Sequence, residues 1–261
     1  MMHPVSSRSW DAATYERASD IQEAWAQAIL DRLPLRGDET VLDAGCGPGH
    51  VTRRLVERLP RGRVIAVDAS EEMVERARRT LTERTTVLCC DLTELELAEP
   101  VDAVFSNAVF HWVFDQDRLF ARMYAALRPG GVLVAGCGAQ GNLERFLATV
   151  DGIASEPPFD RHLDELPRDW WFLEAEETET RLRAAGFTEA CAWPEPSDVT
   201  PADPPAFLRA APLRCHLQRL PEDLHEPFVQ EVLRRCGEPV RLDFRRLQIE
   251  ARRPLAPGGP D

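Results

Sequence analysis

The residues of this sequence best suited to binding a small ligand are three closely spaced glycines and three aspartates. Gly45, Gly47 and Gly49 follow a short apolar run that begins at Val41, and they lead into a helical pattern. Glycine tolerates positive φ and lets a ligand approach the main chain closely. A turn between a strand end and a helix N-terminus lies where open α/β sheets bind their ligands.

The spacing of these glycines excludes two common phosphate-binding loops. In the dinucleotide fingerprint the third glycine would fall at position 50, where this chain has His50. Pro48 removes a backbone N–H that would otherwise help to hold a pyrophosphate. A Walker loop requires a lysine, and the sequence contains none. The turn therefore predicts a nucleoside-like ligand without phosphates.

The three aspartates accompany three consecutive predicted strands. Asp43 directly precedes the glycines, Asp68 ends the run from Val64, and Asp91 ends the run from Thr86. A carboxylate at the end of the second strand can accept hydrogen bonds from both ribose hydroxyls. We expect Asp91 to accept from an adenine amino group, while the backbone N–H of the following Leu92 donates to a ring nitrogen.

The elements that position these residues alternate regularly between apolar strands and amphipathic helices. Beyond the first strand, we predict strands at 64–68, 86–91, 101–106, 132–137, 187–193 and 240–251. Ser19, Ser70 and Asp115 are predicted to begin helices, and two more helices, separated at Pro221, are predicted within 206–237. Alternating strands and helices of this kind predict an α/β fold with a doubly wound, seven-stranded sheet.

Two segments depart from this alternation. Residues 140–171 and 194–238, the second beginning with a proline-rich loop, are predicted helical insertions that form a lid and a substrate cap on a domain spanning 37–252. Residues 1–36 are predicted to form an N-terminal lid and helix, with Trp10 and Tyr15 closing the site or packing on the core. Residues 253–261 are a predicted disordered tail.

Composition limits the possible partners. The net charge is −13 and all 31 basic residues are arginine, so we expect no nucleic-acid partner. There is no apolar run of membrane-spanning length and no signal peptide, and the seven scattered cysteines form no C-x-x-C pair. We therefore expect a cytoplasmic protein that is a monomer or homodimer, with no membrane association and no metal site.

The order of motifs from Val41 to Cys137 resembles that of the class I S-adenosylmethionine (SAM) methyltransferases, which have a Rossmann-like fold. The stretch Asp43-x-Gly45-x-Gly47-x-Gly49 is similar to their first motif. The run from Asn107 to Trp112, together with Trp10 and Tyr15, resembles the trans-aconitate methyltransferase branch. Juvenile-hormone-acid methyltransferases share the His111-Trp112 pair, whereas the trans-aconitate enzymes usually carry glutamine at the position of His111.

The resemblance implies SAM as cofactor, S-adenosylhomocysteine as its product, and a small-molecule acceptor. The residues implied to bind the cofactor are Asp43, Gly45, Gly47, Gly49, Asp68, Ala69, Met73, Asp91, Leu92 and Asn107. Asp43 and Gly45 would contact the methionine end, Asp68 the ribose, Asp91 and Leu92 the adenine. Met73 would lie against the adenine face and Asn107 against the methionyl portion. The implied catalytic residues are His111, Trp112 and Tyr15.

Methyl transfer requires mainly that nucleophile and methyl group be aligned. O-methylation of a small carboxylic acid is the leading expectation, because a carboxylate is already ionised at neutral pH. A phenol, alcohol or amine would need a base, and His111 is the candidate; it could equally bond only to backbone. N- or C-methylation of a natural-product intermediate and a non-catalytic SAM-binding accessory protein remain the alternatives.

The acceptor's pocket is expected over the fourth and fifth strands, with Phe110, His111 and Trp112 beside the two insertions. Aromatic and apolar residues alternate there with arginines, a combination that suits an apolar body carrying a carboxylate. The insertion residues in question are Phe159, Arg161, Trp170, Trp171, Phe207, Arg209, Leu213 and Arg214. We therefore expect an amphipathic monoacid or an aromatic acid rather than a tricarboxylate.

Overall fold

Within the residues that the computed structural model describes, 19–81, 83–163 and 170–256, seven strands form one sheet. The strands are β1 (Thr40–Ala44), β2 (Arg63–Asp68), β3 (Thr85–Cys89), β4 (Val101–Asn107), β5 (Leu127–Gly138), β6 (Thr188–Val199) and β7 (Leu242–Arg252). Their order is β3-β2-β1-β4-β5-β7-β6. Strands β1 to β5 are parallel, and β7 runs antiparallel to both β5 and β6. The predicted seven-stranded α/β fold is confirmed.

Helices cover both faces of the sheet and its carboxyl edge. They are α1 (Ser19–Leu30), α2 (His50–Glu57), α3 (Glu71–Thr80), α4 (Gln116–Ala126), α5 (Glu144–Ala154), α6 (Asp160–Leu163), α7 (Ala175–Ala184), α8 (Pro204–Ala210), α9 (Arg214–Leu217) and α10 (Glu222–Cys236). Helices α1, α2 and α3 bury apolar side chains on one face, and α4 and α7 do so on the other. None of the described helices is long and apolar enough to cross a membrane.

The inner strands are apolar throughout because successive side chains point to opposite faces of the sheet, and each face is covered by an apolar core. In β1, Val41 packs beneath α1 and α2, whereas Leu42 packs with α4. A parallel sheet covered on both sides is expected to show such continuous apolar runs rather than alternation. Two of the predicted helix starts are also observed: Ser70 accepts a hydrogen bond from the Met73 backbone N–H (3.4 Å), and Asp115 accepts from that of Arg118 (3.0 Å).

Three predicted strand boundaries are wrong. Strand β5 begins at Leu127, where it pairs with Val101, and not at 132. Strand β6 does not stop at Trp193 but continues through Pro194 and Pro196 to Val199, so the second insertion begins after Val199 rather than at 194. Proline fits there because β6 is the edge strand, where a missing N–H faces no neighbouring strand. Strand β3 ends at Cys89, so that Asp91 lies two residues beyond it rather than at its end.

The two insertions together form a cap with its own apolar core. Helices α5 and α6 come from the first insertion, and α8, α9 and α10 from the second, which therefore has three helices rather than the predicted two. Phe159 and Phe228 pack edge-on at 5.0 Å between ring centroids, and Arg235 pairs with Glu156. Because β7 is antiparallel, both insertions connect to the sheet at the carboxyl edge of the parallel strands.

Described residues near both ends of the chain pack on the domain predicted for 37–252. Helix α1 belongs to the core of the domain, since Ile29 and Leu30 are fully buried against the sheet. Trp10 and Tyr15 lie outside the described residues. Arg253, predicted to begin a disordered tail, is ordered: its carbonyl accepts from the Gly130 N–H (2.9 Å) and its guanidinium lies 4.6 Å from the centroid of the Tyr124 ring.

Candidate active site

The glycine turn after β1 depends on glycine at its first position. Gly45 has φ of 90°, and a Cβ there would lie 2.1 Å from Cγ2 of Val109. The backbone N–H groups of Gly45 and Cys46 both donate to the Val67 carbonyl, at 2.8 and 2.9 Å. At Gly47, by contrast, a Cβ would meet no atom within 4 Å. The turn is thus fixed on its inner side and open at Gly47, as close approach of a ligand requires.

Asp68 connects this turn to the next helix. Its carboxylate accepts from the backbone N–H of Gly47 (2.9 Å) and from that of Ser70 (2.9 Å). Burial raises the pKa of Asp68, and these backbone donors oppose that increase. A carboxylate oxygen can accept more than one hydrogen bond. Asp68 can therefore keep both backbone contacts and still accept from ribose hydroxyls, which fits the role predicted for it.

Asp91 stands beside Asp68 at the same edge. One of its carboxylate oxygens accepts from both the backbone N–H and the hydroxyl of Thr93, each at 2.8 Å. Strand pairing sets Asp68 opposite Cys89, two residues before Asp91. Nearby, Leu92 and Met73 are buried while Ala69 is exposed. The contacts of these residues with an adenosine stay predictions.

Asp43 occupies a different environment from the other two aspartates. It is 1% exposed, and the Thr52 hydroxyl of α2 donates to its carboxylate at 2.7 Å. Burial raises the pKa of Asp43 to about 7, with a smaller contribution from Asp68 in the same direction and an opposing one from the Thr52 hydrogen bond. Asp43 thus joins β1 to α2 beneath the turn. Its contact with the methionine end of SAM stays a prediction.

The segment after β4 contains a strained residue that sequence reasoning missed. Ala108 has φ of 61°, a left-handed conformation that is costly for a residue with a Cβ. Its carbonyl accepts from the Trp112 indole N–H at 3.2 Å, across a short 3-10 turn from Phe110 to Trp112. Nothing in the sequence marks alanine as a positive-φ residue, so only the backbone geometry reveals this position.

His111 has a defined tautomer. The backbone N–H of Gly138 donates to its Nδ1 at 3.2 Å. Since Nδ1 accepts that hydrogen bond, the proton of the neutral ring resides on Nε2. Burial, and secondarily the positive charge of Arg246, lower the pKa of His111 to about 3. His111 is therefore a neutral side chain whose remaining ring nitrogen is a donor.

An aromatic wall continues from His111 towards the cap. The ring of His111 lies 4.9 Å from that of Trp112 and 6.0 Å from that of Phe172, and Trp170 stacks on Phe172 at 5.9 Å. The His111 carbonyl accepts from the Trp171 N–H at 2.7 Å, which fastens the cap segment to the 3-10 turn. The wall thus joins sheet and cap.

Several side chains predicted to line the acceptor's pocket lie elsewhere. Phe159, Phe207 and Leu213 are buried in the core of the cap, and Phe110 packs against Phe120 in the core of the domain. Apolar side chains in an insertion form its own core as well as any ligand pocket. The sequence alone does not show which of these two roles an apolar residue has. Arg161 and Trp171 are exposed, and Arg209 pairs with Glu226. Arg214 is buried, with its guanidinium carbon 6.0 Å from the centroid of the Trp112 ring.

Arg246 on β7 is a second buried arginine at the site, and sequence reasoning missed it. It is 4% exposed and donates to the side-chain oxygen of Asn107 at 2.8 Å. The signal was present in the predicted strand: an arginine in a segment with alternating apolar residues is unusual when that strand is covered on both faces. Its role could be recognised only once the sheet order placed β7 between β5 and the edge strand β6.

The comparisons with known proteins agree with this geometry. A family model described as a methyltransferase domain matches residues 41–131. Trans-aconitate 2-methyltransferase of Variovorax paradoxus is 31% identical over 243 residues, covering 91% of this chain and 93% of the relative. The enzyme of the same name from Azoarcus is 32% identical, covering 92% and 94%. Phosphoethanolamine N-methyltransferase 2 of Haemonchus contortus, solved with S-adenosyl-L-methionine, has a TM-score of 0.59 at 22% identity and covers 94% of this chain and 57% of that one.

The fold, the glycine turn and the aspartates at the carboxyl edge are features typical of α/β enzymes that bind an adenosine-containing cofactor. With relatives of this identity and coverage, the chain belongs to the SAM-dependent methyltransferase family, on the branch that includes the trans-aconitate 2-methyltransferases. Its cofactor is SAM. When bound, SAM supplies a methyl group that its sulfonium has already activated.

Proposed function

We propose that this methyltransferase transfers the methyl group to a carboxylate oxygen of a small organic acid. The observation that carries the proposal is the state of His111. Its Nδ1 accepts from the Gly138 N–H, and burial lowers its pKa to about 3, so it is a poor base at neutral pH. A carboxylate acceptor needs no base, because it is ionised already.

The groups on the acceptor side of the site favour an anion. His111 would present Nε2–H as a donor, and Arg214 supplies a buried positive charge against the ring of Trp112. Hydrogen bonds from such donors to an ionised carboxylate are stronger than hydrogen bonds between neutral groups. The positive charge of Arg214 would repel a cationic amine. This charge therefore favours an acid over an amine as the methyl acceptor.

The aromatic wall supports an acceptor with an apolar or planar body. Trp112, Trp170 and Phe172 offer ring surfaces beside His111. The curated relatives carry the name trans-aconitate 2-methyltransferase, which indicates a polycarboxylate acceptor for those proteins. For this chain we propose an amphipathic monoacid or aromatic acid, since aromatic rings dominate the wall beside His111.

A panel of acceptors tests the proposal. Transfer of a labelled methyl group from SAM is measured with aliphatic and aromatic monocarboxylates, trans-aconitate, phenols, amines and carbon nucleophiles. Turnover on carboxylates, with loss of the label on mild alkaline hydrolysis as expected of an ester, supports it. Turnover confined to amines or carbon nucleophiles would contradict it, and so would His111→Asn abolishing turnover on a phenol. SAM binding without any product would favour the accessory-protein alternative.

A further inference from the structure

A polar row on β7 reaches the cofactor end of the site. Arg246, Gln248 and Glu250 occupy alternate positions of β7 and share the face that α1 covers. The last two are bonded to Arg32, in the turn that follows α1, at 2.6 Å for Gln248 and 3.2 Å for Glu250. Arg246 stands at the carboxyl edge, opposite Gly138 of β5. Arg246 is therefore at the carboxyl edge of the sheet, while Gln248 and Glu250 hold the end of α1 against β7 through Arg32.

The side chain of Arg246 crosses a neighbouring strand to reach Asn107. Strand β5 lies between β7 and β4, and its Gly136 pairs with Asn107. A Cβ at Gly136 would lie 3.1 Å from Nη2 of Arg246. The missing side chain thus provides the path by which the guanidinium reaches the Asn107 oxygen at 2.8 Å. Trp25 of α1 covers the guanidinium at 4.4 Å from its ring centroid, and the Trp25 indole N–H is itself held by Ser197 (2.8 Å).

This arrangement orients the Asn107 carboxamide. Its oxygen faces the guanidinium, so its amide nitrogen, which carries two donor hydrogens, points away from Arg246. The end of β4 consequently presents a positive charge and amide donors together. A guanidinium and a carboxamide nitrogen side by side can both donate hydrogen bonds to the oxygens of an anion. Such a site suits a carboxylate.

The order of the strands indicates which carboxylate reaches this point. Asp91 follows β3 and Asp68 ends β2, so an adenosine held by them has its adenine over β3 and its ribose over β2. The rest of the cofactor must then cross the glycine turn of β1 and arrive at β4, the next strand. Gly45 of that turn is in contact range of Val109, two residues after Asn107. The methionyl end of SAM carries a carboxylate, and the three aspartates at the edge cannot bind it.

We propose that Arg246, together with the Asn107 carboxamide that it orients, binds the α-carboxylate of the methionyl portion of SAM. Asn107 was expected to lie near that portion; the charge from β7 is the new element. Gly136 is required for this arrangement, because any side chain at that position would obstruct the guanidinium of Arg246. The proposal requires SAM binding only and is independent of the acceptor's identity.

Two nucleosides that differ in the methionyl portion provide the test. S-adenosylhomocysteine contains the α-carboxylate, whereas 5′-methylthioadenosine has the same adenosine and sulfur without the amino-acid end. Affinities of both are measured by calorimetry for the wild-type protein, Arg246→Met and Arg246→Lys. Arg32→Met is the matched control, because it removes an arginine from the same α1–β7 face. Binding of 5′-methylthioadenosine also reports whether each variant keeps a folded adenosine site.

In Arg246→Met we expect at least a tenfold loss of affinity for S-adenosylhomocysteine and less than a twofold change for 5′-methylthioadenosine. Arg246→Lys should lose less, since it keeps the charge but not the fork. Arg32→Met should leave the ratio of the two affinities unchanged. Equal weakening of both ligands in Arg246→Met would show a structural role and overturn the proposal. Unchanged affinity for S-adenosylhomocysteine with a raised KM for the acceptor would also overturn it, by assigning Arg246 to the acceptor.

Discussion

The protonation state of His111 gives a quantitative prediction about stability. The pKa of His111 is lowered from 6.5 to about 3, first by burial and then by Arg246. Below pH 6.5 the unfolded chain therefore binds a proton at this residue that the folded protein does not. Acid consequently favours unfolding, and the stability that neutral His111 contributes is present above pH 6.5 and is lost progressively as the pH falls towards 3.

The substitution His111→Asn isolates this effect. The asparagine oxygen lies close to the position of Nδ1, so that it can still accept from the Gly138 N–H. The cavity left by the smaller side chain has a cost that does not depend on pH. The advantage of the wild-type protein over the variant should therefore shrink by about 1.4 kcal/mol between pH 7.5 and 5.5, and by about 2.7 kcal/mol by pH 4.5, because each pH unit below 6.5 is worth ~1.36 kcal/mol.

Urea unfolding followed by tryptophan fluorescence measures this difference at each pH. Other titrating groups, including Asp43 with its raised pKa, are common to both proteins and cancel in the comparison. His162→Asn, which removes an exposed histidine, controls for the loss of a histidine from the unfolded chain. A wild-type advantage that stays constant between pH 7.5 and 5.5 would mean that His111 accepts a proton in the folded protein. The argument for a carboxylate acceptor would then lose its basis.

Three further predictions concern the cofactor site. Asp68→Ala should weaken SAM affinity at least tenfold in calorimetry, because two charge-assisted hydrogen bonds to ribose, each ~1.5–3 kcal/mol, would be lost; unchanged affinity would mean that the ribose is held elsewhere. Ala108→Gly should raise the unfolding free energy by about 1 kcal/mol, since glycine relieves the strain of its positive φ; a decrease in urea-unfolding experiments would refute that strain. Deleting residues 1–18 should leave a folded protein with most of its SAM affinity lost, and normal binding would reduce the role of Trp10 and Tyr15 to structure.

The sequence alone determined the elements of the cofactor half of the site, because their signals are local. The glycine turn and the strands with Asp43 and Asp68 lie within a few dozen residues, and each is encoded by turn chemistry or by an apolar run of fixed length. The Ser70 cap likewise depends on residues within one helical turn. For such features the chain has few alternatives that satisfy backbone hydrogen bonding, so the pattern and the structure agree.

Tertiary structure decided the features that depend on residues far apart in the chain. Arg246 and Asn107 are 139 positions apart, and their contact exists because β7 lies beside β5 and Gly136 leaves a path between them. The tautomer of His111 follows from the Gly138 N–H in the same way. Pro194 could join a strand because β6 became an edge, which is a property of the sheet and not of the segment. The local sequence specifies which hydrogen-bonding groups are present. Which of them become partners depends on the order of the strands in the sheet.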